Sequence, residues 1–410
     1  MERTIKVVLV SLAWCGISWA GPVTPPPGPV ASTHKTLSEV EPRVAINAVN
    51  TPGDTNSQFR ITQPGSYYLA SNITGVSGRS GIEIAANNVT IDLNGFALVG
   101  VTGSLNGMAS DGAPTNLAIR NGTISGWGGR GITISTSAIN LLVEGVHVTL
   151  CGDYGITGSA NAILRDCTVA FNTGGGVAIA TNGVIVNCSI RSNGGDGITT
   201  ANGATVIGCS VRDNEGTGII VGGGSVVRDC SVFSNDDRGI VAGSQVVVEA
   251  CAVASNGVGG IAIGANSSVV GCIVSGNSGD GVLTSGSCVV SGCTVAGNAM
   301  HGIVAVSDSH VVDNACDSNG IGTGGAGIRV TSSDTRVERN TCTDNAIGIE
   351  VTASGNFIAA NICSGNSSLN WSVVANNKCL VVEAANAGAI SGNSGGTSPG
   401  STSAWTNFTF

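Results

Sequence analysis

Glu215 and Asp236 stand 21 residues apart, each just after an asparagine, with Asp237, Arg212 and Arg238 close by. Two carboxylates brought side by side offer the acid and nucleophile of a retaining glycosidase, or hard oxygen ligands for Ca²⁺. The competing reading is a solvated turn, in which Arg212 and Arg238 are loose partners of little energetic worth. That plainer reading is preferred. Trp127, Arg130, Asp153 and Tyr154 form a second constellation, a flat aromatic beside polar groups of the kind that stacks on a sugar face. Against it, Trp127 is large and apolar enough to pack beneath the polar segment of residues 103–115. Asp280 and His301 make a third pair 21 residues apart, read as ordinary surface.

These pairings have meaning only if the chain repeats, and it does. Cysteines fall at 167, 188, 209, 230, 251, 272 and 293, and asparagines keep the same interval from Asn172 to Asn298. Four residues past each asparagine comes a glycine followed by Ile or Val, as in Gly197-Ile198 and Gly218-Ile219. Such a period means one supersecondary unit stacked on itself. Within a unit the apolar positions pair at spacing two, and Gly, Asn and Ser divide them into runs too short for a helix. The spacing predicts an all-β solenoid: a right-handed parallel β-helix with about 21 residues and three short strands per coil. Residues one repeat apart should then stack about 4.8 Å apart.

Each column has an expected role. The cysteines line the interior as small hydrophobes. The asparagines occupy a left-handed turn position and bond their amides from coil to coil. The glycine fills a corner without room for a Cβ. Ile220, Val241, Ala262, Leu283 and Val304 take the outward position of the third strand, an apolar stripe that would serve as a protein-partner surface unless strand twist or another segment covers it. Gly122 and Val146 stand where later coils have cysteine.

Composition narrows the function. Charged residues are 10% of the chain, against about 25% in an average protein, and the formal charge is −9. Nucleic acid needs a basic face and is excluded on that ground. Four histidines and three methionines leave little for a soft-metal site. No metal or other cofactor is expected apart from Ca²⁺ at the acidic turn.

Residues 1–20 read as a secretory signal, with Arg3 and Lys6 before an apolar run too short to span a bilayer. No transmembrane segment is expected. Residues 21–35 read as a Pro-rich linker, 36–98 as an N-terminal cap with the first irregular coils, 99–363 as the β-helix, and 364–410 as a C-terminal cap in which Trp371, Trp405, Phe408 and Phe410 form an aromatic lid. The regular beat slips after Cys293, and Gly320–Thr323 is an inserted turn. Of 14 cysteines, 13 follow the signal. Export would favour disulfides, but in-register neighbours project parallel Cβ vectors that strain the bridge. Buried free thiols are expected, and Cys288 with Cys293 is the pair to check.

The stretches Ile61–Leu69 (ITQPGSYYL), Asn88–Phe96 (NVTIDLNGF) and Asn121–Thr123, with the tail Ala389–Gly396 and Trp405–Phe410, resemble the exported bacterial right-handed β-helix repeat proteins of the pectate-lyase-like superfamily. The resemblance implies the fold and a secreted or extracytoplasmic location. That superfamily contains pectate lyases, polygalacturonases, tail-spike glycanases and adhesins, so fold alone does not choose an activity. Asp237 and His301-Gly302 resemble the polygalacturonase Asp-Asp and His-Gly motifs, but they lie three coils apart and no Arg-Ile-Lys follows. With no complete catalytic set, the preferred expectation is a non-catalytic module that binds a polysaccharide or cell-surface glycan, or serves structurally. The alternative is a polysaccharide lyase or glycoside hydrolase.

Overall fold

In the computed structural model the described residues are 41–379, 381–383, 390–392 and 405–409. The expected signal and linker lie outside them, as do residues 380, 384–389, 393–404 and 410 of the expected tail. The described chain is all β, a stack of parallel strands wound into successive coils. Three strands recur per coil, for example Val184–Val186, Ser189–Arg191 and Ile198–Thr200. Each pairs in register with its equivalent one repeat later: Ile185 with Val206, Ile190 with Val211, Ile198 with Ile219. The third strands form a 16-stranded parallel sheet of their own.

The core follows from alternation within each short strand. Leu164, Ile185, Val206, Val227, Val248 and Val269 stack as one buried file, and Ile156, Val177, Ile198, Ile219, Ile240 and Ile261 as another. β-Branched side chains suit this pleated, stacked surface. Cys167, Cys188, Cys209, Cys230, Cys251, Cys272 and Cys293 form a buried corner column, all as free thiols. Cys288 and Cys293 are both free and belong to different columns.

The corners depart from expectation in an instructive way. Each coil places three residues in the left-handed region at a spacing of five, five and eleven, as at Gly203, Gly208 and Asp213, then Gly224, Asp229 and Ser234. The ladder asparagines are not among them; the residue before each one is, including Phe171, Ser192 and Ser255. The asparagine is instead buried and spends its side chain on a continuous amide ladder. Asn193 Nδ2 donates to Asn214 Oδ1 at 2.9 Å, and the same bond recurs from Asn214 to Asn235 and from Asn235 to Asn256.

Three further expectations are corrected. The step from Cys293 to Cys316 is a change of column rather than a slipped beat. Cys316 pairs with Val295 and Cys342, and Cys342 with Cys363, in the inner file of the second strand, while Asn314 takes over the corner, its Oδ1 accepting from Cys293 N. The polar segment 103–115, expected to interrupt a coil as a loop, instead carries a strand, Met108–Ser110, of the 16-stranded sheet, with Met108 fully buried. At the far end Trp371 is core rather than lid, in register with Ile349. Asn407–Thr409 adds a rung over Ile362–Ser364, and Trp405 packs edge-on to Phe357.

Burial keeps the thiols away from reagents. At Cys151 and Cys379 it also pushes the pKa up, to about 11 and about 12, so almost no thiolate exists at those two at neutral pH. Twelve of the described cysteines are buried and Cys379 is half-buried. Alkylation at neutral pH should therefore leave the folded protein essentially unlabelled, whereas the unfolded, unreduced chain should take one label per cysteine. Labels missing from the unfolded chain would reveal a disulfide and contradict the free column.

Candidate functional site

Among the described residues one core cluster of buried side chains runs through the coils, which leaves the outward side chains for chemistry. The third strands give one continuous outward column, in register from Arg60 and Glu83 through Ala109, Thr133, Thr157, Ala178 and Thr199 to Ile220. It continues through Val241, Ala262, Leu283 and Val304 to Arg329 and Glu350. Over its fourth to seventh rungs lies an open groove of ≈ 580 Å³, bordered by Arg130 and Tyr154 and lined along the column by Thr133, Thr157, Ala178 and Thr199. Three of the four residues expected as a ligand set assemble at its edge. Arg130 Nε donates to Asp153 Oδ2 at 2.9 Å, Arg130 Nη1 reaches Thr157 Oγ1 at 3.4 Å, and the guanidinium carbon lies 5.9 Å from the centre of the Tyr154 ring. Asp153 thus aims the guanidinium, and Arg130 and Tyr154 remain partly open to solvent.

Trp127, the fourth, is elsewhere. It is 1% exposed, and its Nε1 donates to Leu98 O at 3.3 Å. Glycines make room for the ring: a Cβ at Gly75, Gly81 or Gly107 would come within 2.8, 2.7 or 3.1 Å of it. The indole is a core plug and offers no face to a sugar.

The acidic constellation stays at the surface. Glu215, Asp236 and Asp237 are exposed, and none of them borders the groove. Asp237 Oδ2 accepts from Thr217 Oγ1 at 3.1 Å, and Arg212 is paired with Asp213 instead. Among the described residues no three His, Cys, Asp or Glu side chains gather as a metal site, and no helix is long and apolar enough to cross a membrane. The apolar stripe lies where expected, but its members pack along the column. Ile220, Val241, Ala262 and Leu283 are half-buried and Val304 is buried. A shallower depression of ≈ 270 Å³ runs over Val241, Ala262 and Leu283.

The family profile described as "Right handed beta helix region" matches residues 61–205 and again 181–289. The chain belongs to this right-handed β-helix family. No curated protein matches the sequence. Among solved structures, the A-module of mannuronan C-5 epimerase AlgE4 from Azotobacter vinelandii is 15% identical with a TM-score of 0.40, over 73% of this chain and 84% of that one. A double mutant of the periplasmic alginate epimerase AlgG is 12% identical at a TM-score of 0.47, over 77% and 81%. Pectate lyase Pel9A is 16% identical at 0.34, over 70% and 71%. These likenesses concern the fold alone.

Within this β-helix the sequence reading overlooked Thr133, Thr157, Thr199, Arg329 and Glu350. The signal was available: they occupy the same outward position as the apolar stripe, one or more repeats to either side. His301, read as surface, is 8% exposed.

Proposed function

We propose that the protein is a non-catalytic binding module of the exported β-helix kind, which takes a linear glycan along the outward face of its third sheet. The groove carries this reading. It is open, and the Thr133 and Thr157 hydroxyls on its floor, 3.1 Å apart, can bond sugar hydroxyls through direct or water-mediated contacts. The Tyr154 ring and the Arg130 guanidinium supply planar surfaces at its edge. The apolar stripe beyond it suits the C–H faces of further sugar units. Paired carboxylates on an exposed turn support neither a lyase nor a hydrolase, since both chemistries need groups converging on one bond.

A panel of neutral and acidic polysaccharides, read by calorimetry on the full chain, tests the reading. Arg130→Ala and Tyr154→Ala should each weaken binding about tenfold without altering the thermal midpoint. Turnover of any of these glycans, lost in Glu215→Gln or Asp236→Asn, would replace binding by catalysis as the conclusion. Binding unaffected by both groove variants would move the site elsewhere.

A further inference from the structure

At the opposite end of the same face lies a smaller pocket of ≈ 230 Å³, built from His301, Arg329, Glu350, Met300 and the inserted turn at Thr323–Gly325. We propose that this pocket is a carboxylate-binding site in which His301 Nε2 and Arg329 Nη1 together clasp the anion. It lies eight rungs from Thr157, roughly 40 Å along the axis at ordinary strand spacing, and does not depend on the groove being a glycan site.

The argument rests on donors and acceptors. His301 Nδ1 accepts from Ala326 N at 2.9 Å, and its Nε2 lies 2.9 Å from Arg329 Nη1. A backbone N–H and a guanidinium both donate and never accept, while a neutral imidazole has a single acceptor nitrogen. Ala326 N is fixed because it opens the strand Ala326–Val330. The proton of the neutral ring is therefore on Nε2. That leaves Nε2–H and Nη1–H side by side with no acceptor between them, an arrangement that is relieved when an acceptor oxygen enters, most strongly an anionic one. Two donors so spaced match the two oxygens of one carboxylate.

The surroundings hold this fork in place. Asp280 Oδ1 accepts from His301 N at 3.0 Å, fixing the backbone below the ring. Glu350 Oε2 lies 3.2 Å from Arg329 Nε, engaging the guanidinium away from Nη1. Thr323 Oγ1 donates to Ala299 O at 2.6 Å and pins the insertion that walls the pocket. A Cβ on Gly325 would come 2.4 Å from Met300 O, so the wall admits no side chain there. The carboxylates of Asp280 and Glu350 disfavour a doubly charged phosphate.

Ring nitrogen resonances of the histidine-labelled full chain test this directly. Burial holds the His301 pKa below its usual value; Asp280 and Glu350 pull it up and Arg329 pushes it down. Protonation places a second proton on Nδ1 against the Ala326 N–H, a cost common to both salts. An anion on Nε2–H favours the imidazolium, so the titration midpoint should rise by about one pH unit in acetate relative to chloride at equal ionic strength. The rise should disappear in Arg329→Gln and grow in Glu350→Gln. Identical titrations of the unmutated protein in acetate and chloride would overturn the assignment. So would a response to inorganic phosphate without one to acetate, or a Arg329→Gln protein that responds unchanged.

Discussion

Asn235→Ala is expected to destabilise the solenoid by about 4 kcal/mol, although the removed group is a small polar amide. Asn235 Nδ2 donates to Asn256 Oδ1 at 3.0 Å and to Val211 O and Phe233 O at 3.3 Å. Its Oδ1 accepts from both Asn214 N at 3.2 Å and Asn214 Nδ2 at 2.9 Å. Each such bond contributes about 1 kcal/mol net, and the groups left buried without partners add desolvation cost. Water cannot rescue them easily, because Asn214, Asn235 and Asn256 are all at most 1% exposed. Asn235→Asp sharpens the test. A carboxylate still accepts from Asn214 but cannot donate to Asn256, Val211 or Phe233, and it buries a charge. Its folded-state pKa should be raised, so the variant binds more protons folded than unfolded and gains stability as pH falls toward 4. Denaturant midpoints, with amide exchange at Asn214 to locate the opening, measure both effects. A loss below about 1 kcal/mol for the alanine variant would mean that the ladder merely accompanies the fold.

The fold was legible because a solenoid writes its geometry as a period, and 21-residue columns of Cys, Asn and Gly-Ile survive reading without coordinates. Where the reading erred, one residue type had two physical uses. Asparagine is at home in left-handed turns, and Asn161, Asn182 and Asn187 are found there; the ladder asparagines serve hydrogen bonding instead. Cysteine serves several inner columns, so counting from Cys293 to Cys316 crossed from one to another. The site was less legible. Outward residues need only avoid the core, so Thr133, Ile220 and Arg329 share a column without sharing a type. The Arg130–Asp153–Tyr154 cluster was visible because its members flank corner glycines, which fix their rung. The His301–Arg329 contact was hidden because a five-residue lengthening between Asn319 and Asn345, against the usual 21, displaces the partner. Trp127 failed for a third reason. Its aromatic face was apparent in the sequence, but the three glycines that receive it come from segments 20 to 52 residues away.

The second large effect is expected at the corner glycines, and it separates two reasons a glycine can be required. At Gly218 the backbone is not left-handed, so another residue could adopt its conformation. What forbids a side chain is proximity: a Cβ would lie 2.5 Å from Val232 Cγ1, 2.7 Å from Gly239 O and 2.8 Å from Asn235 Nδ2. The carbonyl belongs to the next coil, whose spacing is set by strand pairing on every face, so it cannot withdraw alone. Gly218→Ala should therefore cost about 3 kcal/mol or more, at the upper end for overpacking, and should disturb Asn235 as well. Gly292 is the counterpart. Its φ is +62° and a Cβ there would meet nothing within 4 Å, while the same corner is occupied by Asp229 and Ala250 in other coils. Asparagine tolerates this conformation, so Gly292→Asn should cost less than about 1 kcal/mol. Denaturant midpoints of the two variants decide the matter. Equal losses would mean that coil spacing yields freely, and that the close stacking on which both outward sites depend is softer than these contacts require.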